Sequence, residues 1–164
     1  MWETRVDCMQ VVRATPDDME MIVHVVNADV MYKDIIPAEH YKEPFLTSDE
    51  LKRYLQEMNL TFFLCREGAS VTGVGALIVR EDGDGQLGWI FVLPERQRRG
   101  VGTALVAEIE SRARERGISR MILETDGGAY WAKSFYAKLG YREYRRTDLP
   151  WGHKVWMEKD LSSP

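Results

Sequence analysis

The chain alternates between two hydrophobic rhythms. Residues 9–13 have a strand-like composition and predict a first β-strand. Thr15-Pro16-Asp17-Asp18 then reads as a helix start. Threonine can cap free N–H groups, proline suits the first helical position, and acids favour the positive helix end. This helix is expected to run to about Met31, and Pro37 and Pro44 then punctuate a loop or short helical region. Ser48-Asp49-Glu50 opens a second helix, with Leu51, Tyr54, Leu55 and Met58 spaced for one face. Residues 61–66 and 71–80 are β-rich runs joined by Gly68-Ala69-Ser70, a hairpin signature. After the turn at Asp82-Gly83-Asp84-Gly85, residues 86–93 predict another strand.

Residues 100–116 predict a helix with Val101, Leu105, Ile109 and Ala113 on one face. Gly117 is its stop, and Arg112, Arg114 and Arg116 suit its negative end. Residues 121–125 predict a strand and residues 130–139 a helix ended by Gly140. Residues 141–146 and 154–158 predict two closing strands, with Asp148-Leu149-Pro150 in the turn between them. The expected order is β-α-α-β-β-β-α-β-α-β-β, an α/β (α+β) domain. Most of its sheet is expected to be antiparallel, with one parallel pair across the helix at Gly100.

With 164 residues and no linker or repeat, a single domain spanning 1–164 is expected. A 45% apolar fraction suffices for a sizeable core, which argues against disorder. The net charge of -4 argues against a nucleic-acid partner. No run approaches the ~20 apolar residues of a membrane span. The N-terminus carries no visible signal peptide, so cytoplasmic residence is expected. Cys8 and Cys65 make neither a metal motif nor a disulfide framework, and Cys65, in an apolar run, reads as a small core residue. His24, His40 and His153 have no metal or triad spacing, so no metal is expected.

The chemistry concentrates in Gln97-Arg98-Arg99-Gly100-Val101-Gly102-Thr103, between a strand and an amphipathic helix. The first N–H groups of a helix lack internal partners and point outward with the positive dipole end, which makes an anion site. Gly100 and Gly102 would let the backbone approach a phosphate, and Arg96, Arg98 and Arg99 add positive charge. A tight strand-to-helix connection with a solvated basic run explains the same residues. Gly73-Val74-Gly75 has no helix after it and reads as a strand with close backbone packing.

Ile90-Phe91-Val92-Leu93-Pro94 followed by Gln97-Arg98-Arg99-Gly100-Val101-Gly102 resembles the acyl-CoA-binding motif of the GNAT N-acetyltransferase superfamily. Ala132-Lys133-Ser134-Phe135-Tyr136-Ala137-Lys138-Leu139-Gly140-Tyr141 resembles its second signature, in the right order and separation. The resemblance implies the GNAT fold, with six to seven strands and about four helices. It also implies transfer of an acetyl group from acetyl-CoA (coenzyme A), the co-substrate, to a primary amine by direct attack. Residues 97–102 would cradle the pyrophosphate, with Thr103 beside them. Ile90, Phe91 and Val92 would line the pantetheine arm, and a backbone N–H near Val92 would stabilise the oxyanion. Phe135 and Tyr136 would lie beside the thiol.

Tyr136 corresponds to the family's general acid; as a residue it equally suits a packing role. Glu124 corresponds to a base used by some members, with Asp126, Glu81 or water as alternatives to it. The family often has Asn where this chain has Ala129, so a contact is lost or is replaced by Asp126 or a backbone group. The acceptor groove is expected between residues 31–54 and 145–151, for a small amine or a peptide or protein amine. The resemblance is compatible with a homodimer. A domain that holds acyl-CoA without turnover is the alternative reading, and a protein-interaction domain with no CoA site is a further one.

Overall fold

A computed structural model describes residues 9–162. Seven strands form one sheet in the order β1-β2-β3-β4-β5-β7-β6. These are β1 (Met9–Arg13), β2 (Leu60–Glu67), β3 (Ser70–Val79), β4 (Gly85–Val92), β5 (Arg120–Asp126), β6 (Arg142–Leu149) and β7 (Gly152–Asp160). The helices are α1 (Met19–Ala28), α2 (Ser48–Glu57), α3 (Val101–Glu115) and α4 (Tyr130–Lys138). All neighbouring strands are antiparallel except β4 and β5, the parallel pair that brackets α3. The fold class and element order are as expected.

Side chains alternate between two cores, one on each face of the sheet. On one face Ile22, Val25 and Val26 of α1 and Leu51 of α2 meet Phe62, Leu64, Val74, Ala76 and Phe91. On the other face Val101, Leu105, Ile109 and Ala113 of α3 meet Phe63, Leu77, Leu87, Met121, Leu123, Val155 and Met157. Cys65 is fully buried there, as its apolar surroundings suggest, and burial raises its thiol pKa; Cys8 lies outside the described residues. Gly73 and Gly75 lie beneath α3. A Cβ on Gly73 would come within 2.6 Å of Val101 Cγ1, and one on Gly75 within 3.0 Å of Ile109 Cδ1.

Three expectations need correction. The first helix ends at Ala28 rather than near Met31, because Asp29 turns extended and its Oδ1 accepts the Met31 N–H at 2.9 Å. A separate 3-10 turn, Met31–Asp34, comes next. On α2, Leu51 is buried, but Leu55 and Met58 stay exposed, so the apolar face is narrower than its spacing suggested. Asp148 and Leu149 belong to β6, pairing with His153 and Gly152, so only Pro150 and Trp151 make the last turn.

Candidate active site

The parallel pairing of β4 with β5 is brief. Gly85 pairs with Met121 and Gln86 with Ile122, and no later pair forms. A bulge at Trp89-Ile90 contributes to this. Ala76 pairs with Gly88 and Val74 with Phe91, so two residues of β4 oppose Gly75 alone. Trp89 takes φ 53°, held by its ring against Phe45, Tyr54 and Phe91. The strands splay beyond this point, and a cleft of about 650 Å³ begins at the α3 tip and continues along β4.

The α3 end of the cleft fits an anion. Val101, Gly102 and Thr103 occupy the first turn, with no side-chain cap and no acidic residue among them. The first helical bond, Ala104 N–H to Gly100 O at 3.0 Å, leaves the preceding N–H groups unpaired within the helix. Gly100 sits at φ 85° with open space where a Cβ would project. Arg98, at φ 63°, shapes the same turn, and Gln97 Nε2 donates to Val92 O at 3.3 Å, tying the turn to β4.

Most of the expected cofactor residues line this cleft: Ile90, Val92, Gln97, Arg98, Gly100, Val101, Gly102, Thr103, Phe135 and Tyr136, together with Arg96. Two do not. Phe91 faces the α1 side of the sheet, in edge contact with Tyr32 and Phe45, because alternate residues of β4 point to opposite faces. Only its backbone can run along the cleft. Arg99 is exposed and lies outside the lining. Gly102 is also required by packing, since a Cβ there would sit 3.0 Å from the Phe135 ring.

Tyr136 packs edge-on against Phe135 and Tyr141, with ring centroids 5.0 and 5.9 Å away. Burial raises its phenol pKa well above the ordinary value, and the nearby Tyr32 adds to the shift. Its proton is therefore held firmly until a strong base appears. Glu124 projects from the α1-side face of β5, 36% exposed, with Lys154 Nζ 3.4 Å away. It is outside the lining of the cleft. Asp126 accepts bonds from Trp151 Nε1 at 2.6 Å and Gly128 N at 2.8 Å, so it anchors two turns. Ala129 is fully buried and outside the cleft lining.

Asp29, Met31, Tyr32 and Trp131 also line the cleft; Met31 and Tyr32 fall in the stretch expected to frame the acceptor groove and Asp29 adjoins it, whereas nothing in the sequence singled out Trp131. Asp29 is brought there by the turn that ends α1. Burial raises its carboxyl pKa, against the lowering effect of the Met31 N–H. Tyr32 stacks edge-on with Trp131 at 5.6 Å, and burial raises its hydroxyl pKa despite the Thr125 hydroxyl. Those two hydroxyls interact without reaching normal hydrogen-bond geometry. Tyr32 stands before the sheet and Tyr136 behind it, so the cleft passes through the gap between the strands.

A sheet split between parallel strands, with a bare helix tip at its mouth, defines the acyl-CoA N-acyltransferase fold. The sequence model of the acetyltransferase (GNAT) family matches residues 28–141, and the chain belongs to that family. It is thus an acyl-CoA-dependent acyltransferase. An IAA acetyltransferase of Azospirillum brasilense is 33% identical over 113 residues, 65% of this chain and 72% of that protein. Human N-acetyltransferase 8 is 34% identical over 101 residues, 58% of this chain but only 44% of its own length. Among solved structures, the PaiA N-acetyltransferase of Thermoplasma acidophilum in complex with coenzyme A superposes with a TM-score of 0.75 at 20% identity, covering 93% of this chain and 99% of that one. The ribosomal-protein-S18-alanine N-acetyltransferase of Escherichia coli gives 0.74 at 18% identity, with 94% of each chain covered.

Proposed function

We propose that the protein moves an acetyl group from acetyl-CoA to a primary amine by direct attack, as one domain spanning 1–164 and within the cytoplasm. One observation carries this reading. The gap between β4 and β5 joins the bare tip of α3 on one side to the Asp29–Tyr32 turn on the other. A thioester held in that gap would meet an amine from the opposite face.

The N–H groups at the start of α3, with Gly100, Arg96 and Arg98, suit the pyrophosphate. The unpaired edge of β4 from Gly88 to Val92 suits the amide-bearing arm. Acetyl-CoA supplies an activated acyl group and a thiolate leaving group. A lysine-type amine has a pKa of about 10.4, so it must shed a proton before attack. Glu124, directly or through a water, takes that proton, and Lys154 Nζ lies 3.4 Å from its carboxylate. Tyr136 returns a proton to the departing sulfur, a role its raised pKa supports by keeping the phenol protonated at working pH.

Release of free thiol from acetyl-CoA across a panel of amines tests this. Amine-dependent release is expected. Thermal stabilisation by coenzyme A with no release on any amine would instead support a binding domain without turnover.

A further inference from the structure

The face of β5, β7 and β6 next to the gap has its own charge pattern. Helices α1 and α2 pack over β2, β3 and β4, leaving this part of the sheet to the loop before α2 and the last turn. His40 of that loop meets Trp151 at 5.0 Å, so the two form one rim. The floor is Glu124, Lys154, Trp156 and Arg145. Trp156 pairs with Glu124 on one side and Arg145 on the other, in one lateral row.

A bulge places Arg145 in that row. Glu143 pairs with Met157 and Arg145 with Trp156, so Tyr144 is the extra residue. Without it Tyr144 would stand opposite Trp156. Bulges re-aim side chains in this way. The Arg145 guanidinium lies 4.7 Å from the Trp156 ring centroid, and Trp156 Nε1 donates to Thr147 Oγ1 at 3.4 Å, which fixes the ring. Among the described residues no carboxylate pairs with Arg145, although the neighbouring Arg142 and Arg146 each have a glutamate partner. A stacked arginine with a free donor fork is preorganised for a carboxylate.

The acids sit at the other end. Asp29 lines the cleft, and Glu124 and Asp126 lie on β5, the strand that borders the gap where an ammonium group would arrive. The face is thus negative at the gap and positive toward β6. From this polarity we infer that the acceptor amine carries a carboxylate, held by Arg145 over Trp156 with Lys154 beside it. The inference rests on the amine-acetylation reading and names its substrate class. Strands are spaced about 4.8 Å apart, so the two charges of the acceptor should lie roughly one to two spacings apart, about 5–10 Å. An ω-amino acid meets this, as does a peptide amine followed by an acidic side chain.

Matched acceptors that differ only in the carboxylate provide the test. Thiol release is measured with 6-aminohexanoate against 6-aminohexanamide, and with alanyl-glutamyl amide against alanyl-glutaminyl amide. The acid of at least one pair is expected to show kcat/KM about tenfold higher or more, carried by KM. The first pair reports a free amino acid and the second a peptide. Arg145→Gln is expected to shrink that ratio to about twofold, Arg145→Lys to restore part of it, and Arg116→Gln, at the far end of α3, to leave it intact. Equal rates for acid and amide in both pairs, or a ratio untouched by Arg145→Gln, overturns the inference while leaving acetylation standing. If no amine releases thiol, the acetylation reading fails. Thermal shifts of the coenzyme A-saturated protein still decide the anion site: stabilisation by the acids alone, lost in Arg145→Gln, supports it, and equal shifts refute it.

Discussion

The Tyr136 hydroxyl is the residue on which the proposed chemistry turns. Its ring is already locked by Phe135 and Tyr141, so Tyr136→Phe should leave the cleft in shape while removing the proton donor. We expect kcat to fall by about 10²-fold or more with the acetyl-CoA dissociation constant nearly unchanged, read by steady-state kinetics and calorimetry. The sign of its pKa shift has a further consequence. A raised pKa keeps the acid form through neutral and alkaline pH, so kcat should show no alkaline decline below about pH 10. Gly100→Asp tests the other end of the cleft, since it strains a left-handed position and sets a carboxylate against the anion site. Stabilisation by coenzyme A should disappear in a melting experiment. The places of Gly100 and Tyr136 in the cleft lining were legible because each sits within a motif that is local in sequence. Phe91 was not, since the strand alternation that turns it away also runs through the Trp89 bulge. Gly102 occupies the expected place and also accommodates the Phe135 ring, a contact that sequence spacing does not reveal.

Elements were legible where a cap or a rhythm marked them. The α2 start was legible from Ser48-Asp49-Glu50, and the structure adds its cap, with Thr47 Oγ1 accepting the Glu50 N–H at 3.1 Å and Glu50 accepting the Thr47 N–H at 3.1 Å. Thr47→Ala should lower stability by about 1 kcal/mol, measured by urea titration, without changing affinity for coenzyme A. The end of α1 was less legible, because an apolar run continues past Ala28 and only the Asp29 side chain stops it. That stop matters, since it turns Asp29 and Tyr32 into the cleft. The seating of α3 depends on a small residue in β3. Gly73→Val would press on the stiff Val101 side chain and on Phe91 O, 3.2 Å from an added Cβ. We expect a loss of about 1–3 kcal/mol, with coenzyme A binding weakened as well, because the tip of α3 is displaced. Unchanged binding in a destabilised variant would separate helix seating from the anion site.

At the scale of the molecule, the fold is a sheet parted between β4 and β5, and the unparted end needs a fastening. The two residue pairs there are reinforced by Arg120. It reaches Asp84 before β4 at 2.7 Å and Glu158 of β7 at 2.7 Å, while Arg142 of β6 reaches the same Glu158 at 3.1 Å. Sequence could not show this, since the partners lie 36 and 38 residues from Arg120 and are ordinary surface charges when read alone. The hydrogen bond from Arg120 lowers the Glu158 pKa below the usual carboxylate value. A depressed carboxylate pKa contributes stability above the unfolded value of about 4.3 and loses it as pH falls through the folded value. Arg120→Met should therefore lower the urea midpoint at pH 7, and the gap to the wild type should narrow at pH 3, below the unfolded carboxylate value, where part of this contribution is lost. A gap of equal size at the two pH values would mean that Arg120 acts through its aliphatic stem and its stacking on Tyr144, 4.9 Å from the ring centroid, rather than through charge. Because the fastening lies at the opposite end of β5 from the cleft, the variant should also open the gap unevenly. Its acetyl-CoA affinity should fall at neutral pH in parallel with the loss of stability.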